Sequence, residues 1–245
     1  MRVDVVLLPS LIRDEHLVGR NVAVFDVLRA TTSMAAALAV GVSEIRIYPD
    51  TASAAHGAGP ASPQRLLCGE EKCLPPPGFD LGNSPGAFTA DYRGRVMHMS
   101  TTNGTRAIVA CRKATAIYPA ALVNARAVAR ALVHDGRDVT LVCSGTEGAI
   151  SIEDAVGAGA VFEAIREQLP DVSNASDGPI IAGVLFSTLR HSLREALRSG
   201  RSGHNVLNAG LAGDIDFAAR LDVLEVVGRI DEPAAETPVV RRLTD

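Results

Sequence analysis

Three segments of the chain place charged side chains, hydroxyl groups and glycine directly after a short apolar run. They are residues 24–32, 99–106 and 142–148, and helical spacing resumes after each one. Each segment therefore predicts the end of a buried strand, a polar loop and the start of a helix. In open α/β sheets, ligands bind in the crevice beyond the carboxyl ends of the strands. Together, the three segments predict a binding site for an anion with a metal ion beside it.

Arginines and hydroxyl groups in these segments suit an oxyanion ligand. Arg29 and Thr31 follow Asp26 into a predicted helix start, and Arg106 follows Gly104 in the second segment. A helix N-terminus offers free backbone N–H groups, and arginine adds a two-pronged donor for oxyanions. The candidate substrate-binding residues are Thr31, Thr32, Asn83, Asn103, Gly104, Thr105 and Thr146. The alternative is structural: Thr31 caps a helix while Asp26 pairs with Arg29, and the second segment is a capped turn.

Carboxylates in the same segments are candidate ligands of a magnesium ion, namely Asp26, Glu70, Asp80 and Glu147. Mg²⁺ keeps several waters, so one or two protein carboxylates and a substrate phosphate complete its coordination. The candidate catalytic residues are Asp26, Arg29, Arg106 and Glu147. Either a carboxylate orients a water molecule or Asp26 itself attacks phosphorus. Glu153 and Asp154 open the next predicted helix, where acidic residues usually complement the helix dipole.

Other phosphate-handling and metal motifs do not match. The chain has no G-x-x-x-x-G-K-[ST] segment, which excludes a P-loop enzyme, and its six histidines form no H-E-x-x-H pair. Cys68 and Cys73 have no second cysteine pair or nearby histidine, so a zinc site is not expected. Asp214 and Asp216 follow a glycine rather than an apolar strand, which predicts helix capping and not a haloacid-dehalogenase site.

Apolar periodicity predicts alternating strands and helices around these segments. The predicted strands are residues 3–8, 22–27, 44–48, 64–68, 95–100, 114–118, 138–143 and 223–227; the predicted helices are residues 31–40, 105–112, 125–134, 152–168, 180–198 and 205–211. This alternation predicts a three-layer α/β/α fold with a largely parallel sheet and the active site at the carboxyl ends of its strands. Residues 52–63 are predicted to be a surface connection, and residues 70–85 a functional loop. We expect a single domain over residues 1–230 and a polar, loosely held tail over residues 231–245.

Composition limits the classes of protein that fit. Of the 245 residues, 47% are hydrophobic, and the net charge of −4 gives no reason to expect nucleic acid as a partner. Residues 1–6 have the pattern of a first strand rather than of a signal peptide. No apolar stretch approaches the roughly 18 residues that cross a bilayer. We expect a cytoplasmic protein with a small anionic partner and no membrane contact; homo-oligomer formation stays open.

Five segments resemble the 2-phosphosulfolactate phosphatase family. They are residues 25–32, 78–85, 101–107, 143–148 with 151–154, and, as a weaker match, 213–217 with 221–222, all in the family's order. The resemblance implies a magnesium-dependent phosphatase that hydrolyses 2-phospho-3-sulfolactate to 3-sulfolactate and phosphate. In organisms that make coenzyme M, this step belongs to its biosynthesis. Such a substrate carries phosphate, carboxylate and sulfonate groups, which two arginines, helix N-termini and a metal ion suit.

One segment departs from the family's pattern. At residues 67–73, a basic residue is expected after the glutamate, whereas Glu71 and Cys73 stand there. A negative charge at this place is expected to weaken the contact with one anionic arm of the substrate. A phosphatase for another small phospho-carboxylic acid and a non-catalytic anion-binding module are the alternatives.

Overall fold

The computed structural model describes residues 1–244, which form ten strands and nine α-helices around an apolar core. The strands are β1 (Arg2–Val6), β2 (Asn21–Phe25), β3 (Glu44–Ile47), β4 (Arg65–Gly69), β5 (Val96–Ser100), β6 (Ala116–Ala120), β7 (Val139–Cys143), β8 (Ser173–Asn174), β9 (Gly228–Arg229) and β10 (Val239–Arg242). The helices are α1 (Ala30–Val40), α2 (Thr51–Ala58), α3 (Gly104–Ala110), α4 (Ala125–Asp135), α5 (Ile152–Gln168), α6 (Gly178–Leu189), α7 (Leu193–Ser199), α8 (Arg201–Asn208) and α9 (Ala212–Ala218).

The first sheet has five parallel strands in the order β6-β2-β7-β1-β8. Strands β2, β6 and β7 are buried along their whole length, which is why their sequences are almost continuously apolar. Helices including α1, α4, α5 and α6 pack against this sheet. The predicted α/β/α fold with a parallel sheet is therefore confirmed. Phe25 is paired with Cys143, so the carboxyl ends of β2 and β7 lie side by side.

A second five-stranded sheet, which the sequence analysis did not separate from the first, has the order β4-β5-β3-β10-β9. Strands β3, β4 and β5 are parallel, whereas β10 runs antiparallel to both β3 and β9. The expectation of a loosely held tail is wrong for residues 239–242. Val240 is fully buried and pairs with Ile45, so residues 239–242 are held by the sheet.

Three predicted elements differ in the structure. Residues 52–63 are not simply a surface connection, because α2 forms there, with the Asp50 carboxylate accepting a hydrogen bond from the Ser53 N–H (2.7 Å). The helix predicted over residues 180–198 is two helices, α6 and α7, with a turn between them. The strand predicted over residues 223–227 does not form; the short strand β9 begins at Gly228.

Helix α1 leaves the carboxyl end of β2 and is buried from Ala30 to Leu38, as its lack of a polar face predicts. Gly41 ends it with φ of 97°, a conformation that glycine adopts without strain. Because only residues 27–29 separate Asp26 from α1, the first turn of the helix is fixed at the edge of the sheet where a ligand is expected. Within residues 1–244, no helix combines the length and the apolar character needed to cross a membrane.

Candidate active site

Asp26 lies where the first turns of two helices meet. It follows β2 directly and is 6% exposed. Its N–H donates to the Thr31 hydroxyl (3.0 Å), and its Oδ1 accepts from the Ala30 N–H at the start of α1 (3.3 Å). At the start of α3, a Cβ on Gly104 would lie 2.6 Å from Asp26 Oδ2. Only glycine therefore lets the backbone of α3 approach this carboxylate.

The charge on Asp26 is poorly compensated. Burial, with a smaller contribution from the negative charges of Glu70 and Glu153, raises the pKa of this carboxyl group from 3.8 to about 7. Hydrogen bonds from the Ala30 and Gly104 N–H groups act in the opposite direction and do not offset these effects. A buried carboxylate beside like charges is typical of functional sites and suits a bound cation.

Glu153 and Asp154 are the functional candidates that sequence reasoning underrated. Both are 2% exposed at the first turn of α5. Asp154 accepts hydrogen bonds from the Val27 N–H (2.9 Å), the Ser144 hydroxyl (3.0 Å) and the Gly145 N–H (3.0 Å). It therefore links the loops that follow β2 and β7.

Glu153 has fewer partners: the Ser202 and Ser151 hydroxyl groups act to lower its pKa but do not offset the effect of burial. Its Oε2 is buried and has no hydrogen-bond partner among residues 1–244. Burial raises the pKa of both Glu153 and Asp154, and the charges of Glu153 and Asp26 raise that of Asp154 further. The one sequence signal for Glu153 and Asp154 was their position at the start of a helix that follows a strand. Acidic residues at a helix start are equally well explained by their favourable interaction with the helix dipole.

Glu70 connects the second sheet to this group of carboxylates. It follows β4, and its Oε1 accepts hydrogen bonds from the hydroxyl and the N–H of Thr102, which follows β5. Its Oε2 accepts from the Cys73 N–H (3.2 Å). Since its charge acts on Asp26, the structure brings these two predicted metal ligands together.

The other two predicted metal ligands are engaged elsewhere. Asp80 accepts hydrogen bonds from the Leu67 N–H (2.7 Å) and from Arg65 (3.1 Å), beside the middle of β4 rather than at its carboxyl end. Glu147 is exposed and forms an ion pair with Arg201 (3.1 Å). No group of three or more His, Cys, Asp or Glu side chains within residues 1–244 is arranged to hold a metal ion. The four predicted carboxylates therefore do not form one site, because Asp80 binds Arg65 and Glu147 binds Arg201. The sequence pattern did not predict either ion pair.

The two predicted catalytic arginines differ sharply. Arg29 is buried and donates to Asp214 (2.6 Å), the Ser84 hydroxyl (3.1 Å) and the Cys73 carbonyl (2.7 Å). The alternative in which Arg29 pairs with Asp26 is therefore not seen; Asp214 is the partner.

Arg106 is exposed and has no ion-pair partner in the described part of the chain. The pKa of Asp50 is lowered mainly by the hydrogen bond from Ser53, with a smaller contribution from the charge of Arg106. Arg106 is thus available to bind an anion, whereas Arg29 is already paired with the Asp214 carboxylate.

The predicted hydroxyl groups mostly serve the backbone around the site. Thr32 donates to the Val27 carbonyl (2.7 Å), Thr105 donates to the Thr101 carbonyl (2.9 Å), and Thr146 is hydrogen bonded to Ser202. Together with the contact between Thr31 and Asp26, these bonds fix the loops at the strand ends.

The two predicted asparagines make no comparable contact. Asn83 is buried with its Oδ1 unpartnered, and the Asn103 side chain forms no cap bond at the start of α3. The chain also has cavities of about 860 and about 610 Å³, and neither is lined by Asp26. Uncompensated buried charge, and not cavity size, is what identifies the site.

A parallel sheet whose strands end in buried carboxylates beside helix N-termini is typical of α/β enzymes that bind anionic ligands. The model of the 2-phosphosulpholactate phosphatase family matches residues 6–233. The chain therefore belongs to the 2-phosphosulfolactate phosphatase family, a family of phosphoric monoester hydrolases. This match confirms the resemblance found in the sequence.

Similar proteins support the assignment over nearly the full length. A probable 2-phosphosulfolactate phosphatase of Symbiobacterium thermophilum is 38% identical over 216 residues, which cover 87% of this chain and 92% of the relative. One of Parasynechococcus marenigrum is 40% identical over 86% of this chain and 88% of the relative. One of Carboxydothermus hydrogenoformans is 35% identical over 93% of this chain and 92% of the relative.

Proposed function

We propose that this chain hydrolyses 2-phospho-3-sulfolactate to 3-sulfolactate and phosphate in a magnesium-dependent reaction, the step known from coenzyme M biosynthesis. The observation that carries the proposal is the buried carboxylate of Asp26 between the first turns of α1 and α3, in a chain that matches the phosphatase family over residues 6–233. The cytoplasmic location stays a prediction.

Two of the carboxylates have the chemistry to hold a magnesium ion beside the substrate phosphate. Asp26 and Glu153 are buried, the charge of Glu153 raises the pKa of Asp26, and Glu153 Oε2 has no hydrogen-bond partner in residues 1–244. We assign the metal to these two oxygen donors, since Mg²⁺ needs only one or two protein carboxylates. When bound, the ion polarises the phosphoryl group and offsets its charge. Asp80 and Glu147 are left out because arginines occupy them.

Charge balance gives a reason for the metal dependence. Asp26, Glu70, Glu153 and Asp154 form an acidic group that repels a multiply charged anion. A divalent cation held by Asp26 and Glu153 would offset this repulsion.

Two arginines contact the remaining anionic groups in this proposal. Arg29 is buried and has five N–H donors, of which the contacts to Ser84, Asp214 and Cys73 use three. Arg106 at the first turn of α3 is exposed and unpaired among residues 1–244. We assign the carboxylate and sulfonate arms of the substrate to these side chains.

In the chemical step, an oxygen nucleophile attacks phosphorus, and the bond between phosphorus and the sulfolactate oxygen breaks. Either a site carboxylate orients a water molecule, or Asp26 attacks and water then hydrolyses the aspartyl phosphate. Acid quench during turnover of radiolabelled substrate distinguishes the two, because only the second leaves label on the protein, and Asp26→Asn removes that label.

The decisive experiment measures phosphate release from 2-phosphosulfolactate and from phosphoglycolate, with Mg²⁺ and with excess chelator. We expect Mg²⁺-dependent release that is faster for 2-phosphosulfolactate. Faster turnover of phosphoglycolate identifies a phosphatase for another phospho-acid. No release from either compound, together with binding of both, identifies an anion-binding module and overturns the proposal.

A further inference from the structure

A cavity of about 860 Å³ lies at the end of the first sheet that is opposite to Asp26. It is lined by Arg2, Arg20 and Asp138, which stand at the amino ends of β1, β2 and β7. Asp26 follows the carboxyl end of β2, so about 20 Å of strand separates the cavity from the candidate active site. The volume is typical of a pocket for a small molecule. The proposed phosphatase reaction leaves this cavity without a role.

Two arginines in this cavity share one carboxylate. Strands β1, β7 and β2 pair in register, so Arg2, Asp138 and Arg20 form a row on one face of the sheet. Arg2 donates the short hydrogen bonds to Asp138, from its backbone N–H (2.8 Å) and from its Nε (2.9 Å). Arg20 Nη2 lies 4.0 Å from the same carboxylate. Asp138 therefore neutralises one of the two guanidinium groups, and the row keeps one positive charge.

Arg20 is the arginine of this row that lacks a close counter-charge. It is 9% exposed, and its guanidinium makes one hydrogen bond within residues 1–244, a long one to the Val139 carbonyl (3.4 Å). Arg29, which is also buried, binds Asp214 at 2.6 Å. A buried charge without a close partner is costly. An anionic group in the cavity would supply the acceptor that Arg20 lacks.

Asp4 forms the other polar end of the cavity. It lies two residues after Arg2 on β1, so it faces the same side of the sheet about 7 Å further along. This residue is 7% exposed, and its Oδ1 accepts hydrogen bonds from the Val5 N–H (2.8 Å) and the Ser176 hydroxyl. Its Oδ2 accepts no hydrogen bond within residues 1–244 and lies 3.8 Å from His16 Nε2. This second oxygen is therefore available to a ligand.

His16 offers a donor beside this oxygen. Its Nδ1 accepts a hydrogen bond from the Arg13 N–H (3.0 Å), which assigns the ring proton to Nε2. The distance of 3.8 Å to Asp4 is too long for a direct hydrogen bond, but a hydroxyl group can accept from Nε2–H and donate to Oδ2 at once. Arg13 Nη2 (3.4 Å) and Glu15 Oε1 (3.9 Å) also lie near Nε2, and they pair with each other at the exposed rim (2.6 Å). This end of the cavity therefore suits a ligand with a hydroxyl group.

We infer that this cavity binds a small hydroxy acid. The carboxylate of the ligand binds Arg20, and its hydroxyl group lies between His16 and Asp4. Its carbon chain packs against two exposed aliphatic side chains of the cavity wall, Leu11 and Val18. One anionic group matches the one guanidinium that has no close counter-charge, and the hydroxyl group bridges a donor and an acceptor that are too far apart to bind each other. The site is independent of the proposed phosphatase activity, because it lies at the other end of the sheet.

The first test measures the binding of butyrate and of its 2-, 3- and 4-hydroxy derivatives to the metal-free, full-length protein by isothermal titration calorimetry. These acids share one carbon chain and differ only in the hydroxyl group. We expect at least one hydroxybutyrate to bind with a dissociation constant at least about tenfold below that of butyrate. If no hydroxybutyrate reaches this preference, the inference is overturned.

Variants at the two polar ends locate the bound ligand. Arg20→Gln is expected to weaken the hydroxybutyrate that binds most tightly by at least about tenfold. Arg65→Gln is the matched control, because the Arg65 side chain is 12% exposed against 11% for Arg20 but has a close ion pair with Asp80 (3.1 Å). Asp4→Asn is expected to remove the preference for the hydroxyl group while the affinity for butyrate stays within about twofold. Equal weakening by the two arginine variants contradicts the inference.

A purely structural role of Arg20 predicts a different result. Arg20→Gln would then lower the midpoint of urea unfolding and leave the affinity for the hydroxybutyrate unchanged, which overturns the inference. We expect the midpoint to stay near that of the wild type, because no short ion pair is lost. Phosphate release by Arg20→Gln should equal that of the wild type, and Asp26→Asn should bind the hydroxybutyrate normally. Failure of the proposed phosphatase activity is thereby distinguished from failure of this second site.

Discussion

The polar segments that follow β2 and β7 look alike in the sequence and lie on neighbouring strands, yet they occupy different surroundings. Asp26 after β2 is buried among like charges. Glu147 after β7 points outward and is paired with Arg201. The reason is local: Gly145, Glu147 and Gly148 all have positive φ (67°, 54° and 77°), which folds the second segment into a tight turn away from the crevice.

The edge beside β7 nevertheless contributes carboxylates, from the first turn of α5 rather than from the strand end. Glu153 and Asp154 occupy the position that Glu147 was predicted to fill. A polar residue after a parallel strand therefore does not by itself define a site. The site is defined by the turn that follows the strand, which must place the polar side chain beside the end of the neighbouring strand.

The difference between the two segments is tested most strongly by neutralising one carboxylate in each segment. Asp26→Asn is expected to lower kcat/KM for phosphate release by roughly 10³-fold or more, because it removes the buried charge at the reacting group. Glu147→Gln, a change at an exposed ion pair, is expected to stay within about twofold. Phosphate release at saturating Mg²⁺ measures both, with circular dichroism as the check on folding. Equal losses in the two variants would show that both segments take part.

Comparison of the two segments also explains what the sequence could predict. The buried parallel strands and the apolar helix α1 were predictable, because continuous apolar runs are a strong local signal. The division into two sheets was not, because strand pairing is decided by contacts distant in sequence. Asp26 and Gly104 were found from their positions at element ends. Asp214, the partner of Arg29, was missed because 185 residues separate the two.

Arg29 and Arg106 allow the next test, which compares the effect on stability of removing a buried and an exposed positive charge. Arg29→Ala leaves Asp214 buried without its counter-charge and is expected to destabilise the protein by about 3–5 kcal/mol. Arg106→Ala, at an exposed position, is expected to change stability by no more than about 0.5 kcal/mol. Urea unfolding measures both. A double-mutant cycle with Asp214→Ala should show strong coupling to Arg29 and none to Arg106.

Turnover adds a second readout for the same pair of variants. If both arginines contact the substrate, each variant loses activity although only one loses stability. Arg29→Ala with wild-type turnover contradicts its role as a substrate contact.

The uncompensated charge of Asp26, at the carboxyl end of β2, also predicts that the stability of the protein depends on pH. The pKa of Asp26 in the folded protein, about 7, lies above its ordinary value of 3.8, so folding favours the protonated form. Its contribution is fully present at low pH and is lost as the pH rises through about 7, by up to about 4 kcal/mol. Glu153 and Asp154 act in the same direction.

Urea unfolding of the metal-free protein at pH 5 and pH 8 measures this effect, with lower stability expected at pH 8. Asp26→Asn should flatten the difference, whereas Glu147→Gln should leave it unchanged. Mg²⁺ should stabilise the wild type more at pH 8 than at pH 5, because it binds the ionised carboxylates. A metal-free protein that gains stability between these pH values contradicts the assignment of buried, uncompensated charge.

The smallest effect concerns the backbone approach that brings α3 to Asp26. Gly104→Ala places a Cβ 2.6 Å from both Asp26 Oδ2 and the Ala30 Cβ, so α1 and α3 must move apart. We expect a loss of about 1–3 kcal/mol in stability and a clear loss of turnover. Gly86→Ala is the matched control, since a Cβ there meets nothing within 4 Å. Wild-type turnover by Gly104→Ala would show that the distance between α3 and Asp26 is not important for catalysis. The difference between the segments after β2 and β7 would then depend on their carboxylates alone.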